Sequence, residues 1–149
     1  MKPIFIILAA VIAASCVSTK STIKNVDDNA PIPKVVGKAF VITEFATDKR
    51  YGYDPDYPIN IFYSSTRDEN INQERFFNAL AGPDGEKIFF TKMENCCPFP
   101  TKRTDMGAGF LDVYEVRWLG QKKPVTLYLN IYEKGRLMVP VGFTLKNTK

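Results

Sequence analysis

The sequence predicts an α+β domain: one helix packed on a mainly antiparallel sheet that includes a C-terminal three-strand meander. Two patterns predict it. Ile71 to Ala81 carries apolar residues at helical spacing, and three segments in the last third alternate apolar with polar side chains. Size agrees. The chain has 149 residues, 45% hydrophobic and 24% charged, which suits one globular domain. A (β/α)₈ barrel normally needs roughly 250 residues, so barrel enzymes are excluded.

Taken in order, Ala39 to Ala46 is rich in β-branched and aromatic residues and reads as a first strand, and Ile59 to Tyr63 as a second. In the helix, Gln73, Phe76, Phe77 and Leu80 share one face. Its start admits two caps: Asn70 with Gln73 reaching back, or Asn72 with Ile71 and Phe76 as a hydrophobic staple. Gly82-Pro83 stops the helix, and Asp84-Gly85 turns the chain into a third strand, Glu86 to Lys92. Phe110 to Leu119 then alternates, with Tyr114, Val116 and Trp118 on one face and Glu115 and Arg117 on the other. A loop at Gly120 to Lys123 leads to Val125, Leu127, Leu129 and Ile131 in alternation, and Lys134-Gly135 to Leu137, Val139, Val141, Phe143 and Leu145. Such period-2 patterning with short turns describes an antiparallel meander with one buried face. Pro140 makes the last strand an edge, or interrupts it.

The N-terminus assigns a compartment. Lys2 is the only charge before Cys16, and Ile4 to Ala14 is an unbroken apolar run of eleven residues. That length fits a secretory signal and falls short of the roughly 20 residues of a spanning helix. Ala13-Ala14-Ser15 precedes Cys16 directly, which resembles a bacterial lipoprotein signal with Cys16 as the lipidated first residue. A plain signal peptide cut nearby would instead leave Cys16 free. Val17 to Lys20 holds no acidic residue, which by resemblance to lipoprotein sorting points to the periplasmic face of the outer membrane. The stretch to Val36 is polar, closes with Pro31 and Pro33, and reads as a flexible tether. The expected organisation is therefore a signal peptide over 1–15, a lipidated N-terminus and tether over 16–36, and one domain over 37–149.

Charge is uneven: residues 51–101 carry net −4 and residues 102–149 net +5. No dense Lys/Arg cluster accompanies the basic half, so it reads as a solvated surface and not as a nucleic-acid site. Chemistry is sparse. The chain has no His, which removes the commonest general base and metal ligand. It contains no nucleophile elbow, phosphate loop or dinucleotide fingerprint, and neither a cofactor nor a metal site is expected.

Two local features stand out. Cys96-Cys97, followed by Pro98-Phe99-Pro100, places two thiols side by side in a chain expected to meet an oxidising envelope. Adjacent Cα atoms lie about 3.8 Å apart, below the usual disulfide range, so a ring between them is strained. One reading is a vicinal disulfide serving as a redox switch or a rigid ligand surface; the other is two reduced thiols supporting a Pro-rich turn. The second feature is Tyr51-Gly52-Tyr53-Asp54-Pro55-Asp56-Tyr57-Pro58. Tyr51, Tyr53 and Tyr57, with Asp54, suit stacking on sugars or peptide groups, with Pro98 and Phe99 as further candidate contacts. The same residues also suit a structural turn whose tyrosines cover the sheet edge.

Tyr51 to Pro55, Asn78 to Pro83, Cys96 to Phe99, Leu111 to Val116 and Lys123 to Asn130, in that order, resemble small envelope lipoproteins of Bacteroidota. The resemblance covers residues 37–145 and implies a shared fold and an envelope location; it brings no catalytic residues. The signal, the tether and the lack of a catalytic constellation point to a lipid-anchored binding or structural module, more a non-enzyme than an enzyme, with the membrane and an envelope protein or glycan as partners. Thiol redox or sensing chemistry at Cys96-Cys97 is the alternative. Similar chains sometimes carry the name 2-dehydro-3-deoxyphosphooctonate aldolase, an activity that needs a cytosolic barrel and a phosphate site this chain lacks.

Overall fold

The computed structural model describes residues 21–63 and 70–147, and the fold is α+β. The expected signal peptide, Cys16 and the first residues of the tether lie outside the described residues. Eight strands and one helix follow in the order β1 (Val35–Val36), β2 (Ala39–Phe40), β3 (Ile59–Asn60), α1 (Ile71–Ala79), β4 (Leu80–Ala81), β5 (Ile88–Pro100), β6 (Ala108–Trp118), β7 (Val125–Asn130) and β8 (Thr144–Leu145) among the described residues. The central sheet runs β3-β7-β6-β5, with β3 parallel to β7 and the other pairs antiparallel. Two small two-stranded sheets, β1-β2 and β4-β8, flank it.

The helix appears where its periodicity places it, two residues shorter. Leu80 turns to an extended conformation, and Leu80–Ala81 pairs with Thr144–Leu145. Neither expected cap forms. Asn70 makes no side-chain cap hydrogen bond, Gln73 reaches across to the sheet, and the Asn72 amide donates to the Ile61 carbonyl at 3.1 Å. Tertiary partners outcompete local ones here. The buried face is the one the spacing selects: Gln73, Phe76, Phe77 and Leu80 are all buried. Phe77 stacks on Phe90 at 4.4 Å and tilts against Tyr114 at 4.9 Å. Val116, Leu127, Leu129 and Ile59 complete the same core on the helix side of the sheet.

The meander differs in membership. It consists of β5, β6 and β7, and the last alternating segment leaves the sheet. Val139 forms one parallel bridge with Phe45, and only Thr144–Leu145 forms a ladder. Pro140 removes a donor, and Gly142 at φ +92° turns the chain away. Leu137, Val139 and Phe143 are nevertheless buried, so the alternation marks the core side of a segment that is not a regular strand. Strand β5 is longer than expected, running through both cysteines and Pro98. It is an edge strand, where prolines are tolerated, and register shifts at Lys92/Glu94 and Cys96/Phe99 absorb its irregularities.

Residues 21–36 differ most from the expected tether. From Ser21 on, this stretch is docked on the domain. Ile23 and Ala30 are buried, the Lys24 amide donates to the Asp56 carbonyl at 2.8 Å, and the Asp27 amide to the Lys134 carbonyl at 2.8 Å. The buried Asn60 amide donates to the carbonyls of Lys24 and Asn25, and Asn130 donates in turn to Asn60 Oδ1 at 2.9 Å. Polarity therefore does not mean detachment: the polar backbone of this segment is matched by the buried Asn60, which Asn130 holds in turn. Ile23 joins Phe99 and Leu111 in a second, smaller apolar cluster, with Cys97, Tyr128 and Tyr132 against it. Because Leu111 and Tyr114 have opposite parity on β6, this cluster lies on the sheet face away from the helix.

Candidate functional site

Cys96 and Cys97 sit on the outer strand β5 and are joined as a vicinal disulfide. Both are half-buried. Cys96 faces Leu111 across the ladder, and Cys97 adopts φ +57°, a left-handed conformation that L-residues other than Gly and Asn seldom occupy. The pairing breaks there and resumes at Phe99 opposite Gly109. An added Cβ at Gly109 would lie 2.9 Å from the Phe99 ring and 2.8 Å from Tyr132, so only glycine lets Phe99 lie flat on β6. Of the two sequence alternatives, the bonded pair is the one observed.

On the opposite face of the same edge lies a polar cluster that the sequence reading did not single out. Asn95 faces Asp112, whose carboxylate is fully buried. Asn95 Nδ2 donates to Asp112 Oδ1 at 2.6 Å, Gln73 Nε2 donates to Oδ2 at 3.0 Å, and Lys92 Nζ lies 2.8 Å from Oδ1. Three donors thus satisfy one buried anion, and they tie α1 to strands β5 and β6. Gln73 Oε1 is buried without a hydrogen-bond partner. A signal was present: Asp112 has the parity of Tyr114 and Val116, so the alternation places a charge on the core face, where it needs partners.

The tyrosine loop has internal partners. Tyr51 is fully buried, its hydroxyl accepts from the Met138 amide at 3.2 Å, and its ring meets Tyr57 edge-on at 5.4 Å. Burial pushes the Tyr51 phenol far above its ordinary value. Tyr53 donates to the Val141 carbonyl at 2.5 Å, and burial pushes its phenol up to about 12. Asp54 Oδ1 accepts from the Asp56 amide at 2.9 Å, closing an Asx turn, and Lys24 Nζ lies 5.6 Å from the Tyr57 ring. These contacts support the structural-turn reading. Phe99 is buried in the second cluster and Pro98 is exposed beside the disulfide.

Tyr128 links the cysteine edge to the tyrosine loop. The Tyr128 amide donates to the Gly52 carbonyl at 2.8 Å, while its side chain packs in the cluster that also holds Cys97. Two cavities among the described residues lie around Asn78 on α1. One of about 180 Å³ runs between Val36, Val41 and Leu145, and another of about 450 Å³ runs between Phe77, Lys87 and Lys146. Among the described residues, no group of three or more acidic or Cys side chains is placed to hold a metal ion. No helix of the described residues is long and apolar enough to cross a membrane. Against family models, curated proteins and solved structures, the chain finds no match.

What the arrangement offers chemically is a disulfide, able to accept two electrons and two protons, backed by a carboxylate already held by three donors.

Proposed function

We propose that this chain is an exported, lipid-anchored protein of the cell envelope, on the periplasmic face of the outer membrane, whose domain is a binding or structural module. The observation that carries this reading is the Cys96–Cys97 bond, because disulfides persist in oxidising compartments and are rare in the reducing cytosol. The apolar run ending at Cys16 supports the same compartment. The absence of His in the sequence favours a binding or structural module, with an envelope protein or glycan as partner, over one that turns over a substrate. Metabolic labelling of the native host with an alkyne fatty acid tests it. The protein is expected in the membrane fraction, labelled, with the label lost in Cys16→Ala. An unlabelled, soluble protein that keeps residues 1–15 overturns the reading.

A second reading, thiol redox or sensing, is favoured by one observation: the disulfide lies on an edge strand with Cys97 in a left-handed conformation. A dithiol donor would supply two electrons and two protons, leaving Cys96 and Cys97 as thiols and itself as a disulfide. Differential alkylation of freshly isolated envelopes decides it. A pool of the protein with both thiols free beside the bonded form is expected, and a single redox state under both oxidising and reducing growth overturns it.

A further inference from the structure

Ile32 is 63% exposed and Val36 61%, and Val35 and Val41 are exposed beside them. All four belong to one feature, the β1–β2 ribbon and its approach. Val35 faces Phe40 and Val36 faces Ala39 across a turn at Gly37-Lys38, and the Val41 amide extends the register by donating to the Lys34 carbonyl at 2.8 Å. Phe40 and Ile42 point into the core, so Val41 points out, and Val36, opposite Ala39, shares that outward side. A ribbon bathed in water carries polar residues on that side and protects its edges with charge. This one carries Val36 and Val41 beside Lys34. From Ala30 to Thr43 it also holds Lys34 and Lys38 and no acidic residue.

Its position matters as much as its composition. The Phe40 ring meets Tyr63 edge-on at 5.7 Å, and the Tyr63 hydroxyl donates to the Gly135 carbonyl at 2.6 Å. Gly135 lies so close to Asn25 that an added Cβ would come within 2.1 Å of the Asn25 carbonyl oxygen. The ribbon therefore stands three contacts away from the docked segment that leads back toward Cys16.

We infer that this ribbon is a membrane-contacting wedge. Ile32, Val36 and Val41 enter the boundary between headgroups and acyl chains of an anionic leaflet, with Lys34 and Lys38 at the level of the phosphates. Apolar tips flanked by Lys are the composition that lies in a bilayer interface, and cationic flanks are drawn to anionic lipid. The inference rests on the anchoring reading above and adds to it an orientation: the acyl group holds the protein at the membrane, and the ribbon fixes which end of the domain faces the lipid.

The test uses the native acylated protein reconstituted in vesicles of phosphatidylcholine and phosphatidylglycerol, part of the phosphatidylcholine carrying brominated acyl chains. Tryptophan emission is compared for wild type, whose single Trp is Trp118, for Val36→Trp, and for Leu119→Trp in the β6–β7 turn. Emission from the residue introduced at 36 is expected to be quenched at least two-fold by the brominated lipid, and to shift to the blue. Wild type and Leu119→Trp are expected to stay unquenched. Intact mass of the same sample reports acylation of Cys16. Acylated protein with no quenching at 36, or with equal quenching at 119, overturns the wedge and leaves the anchor standing. Protein without the acyl group overturns the anchoring reading and the wedge together.

Discussion

Asn95 and Asp112 face each other across the β5–β6 ladder, and the Asn95 amide donates to the buried Asp112 carboxylate at 2.6 Å. With Gln73 and Lys92 on the same carboxylate, the pair pins an edge strand to the helix. Removing the acceptor leaves the Gln73 amide buried with nothing to bond. Asp112→Ala is therefore expected to lower unfolding free energy by about 3 kcal/mol, at the lower end of the range for breaking a buried pair from one side, because Lys92 can still reach water. Arg117→Ala, which breaks the exposed 2.7 Å contact to Glu115 on the same strand, is expected to cost less than about 1 kcal/mol. Urea denaturation of the two variants checks the contrast.

The backbone at Cys97 gives a second expectation. Its φ of +57° suits glycine and is costly for a side chain. In a Cys96→Ser background, where no disulfide can form, Cys97→Gly is expected to be more stable than Cys97→Ser by about 1 kcal/mol. Equal denaturation midpoints for the two variants would show that the left-handed conformation does not outlast the bond.

Much of the fold was legible because burial writes itself into periodicity. Phe76, Phe77 and Leu80 at helical spacing, and Tyr114 and Val116 at strand spacing, meet in one core. Illegible parts depend on partners distant in the chain. Gln73 looks like a capping residue until Asp112, 39 residues away, claims its amide. Residues 21–30 look like a tether because nothing local reveals that Asn60, itself held by Asn130, will bind the Lys24 and Asn25 carbonyls. The cysteine pair was visible in the sequence, while its bonding and its place at an exposed edge depend on the register of β5 against β6.

Docking of the N-terminal segment is sensitive to a single hydrogen atom. An added Cβ at Gly135 would meet the Asn25 carbonyl oxygen at 2.1 Å, and that backbone cannot yield without giving up the Asn60 contact. Gly135→Ala is expected to release residues 21–30 while α1 and the central sheet stay folded. Hydrogen exchange should show the Lys24 and Asp27 amides losing protection, with the Leu127 and Leu129 amides unchanged. Uniform loss of protection across the domain would mean that the segment is part of the cooperative core.

Alkaline pH supplies the last expectation. Burial raises the phenols of Tyr51 and Tyr63, and pushes Tyr53 up to about 12 and, with Asp112 and Glu74 adding to it, Tyr114 up to about 12. An unfolded tyrosine titrates near pH 10, so the fold favours the neutral phenol. That contribution is complete below about pH 10 and is lost as pH rises from about 10 through about 12. The domain is therefore expected to keep its stability up to about pH 10 and to lose it steeply above, with phenolate absorbance from the buried tyrosines appearing together with loss of far-ultraviolet circular dichroism. Tyr53→Phe removes one raised phenol and, with it, the hydrogen bond to the Val141 carbonyl. It is expected to be less stable than wild type at pH 7 and to close part of that gap at pH 12. A gap that stays the same from pH 7 to pH 12 would place the Tyr53 hydroxyl in water.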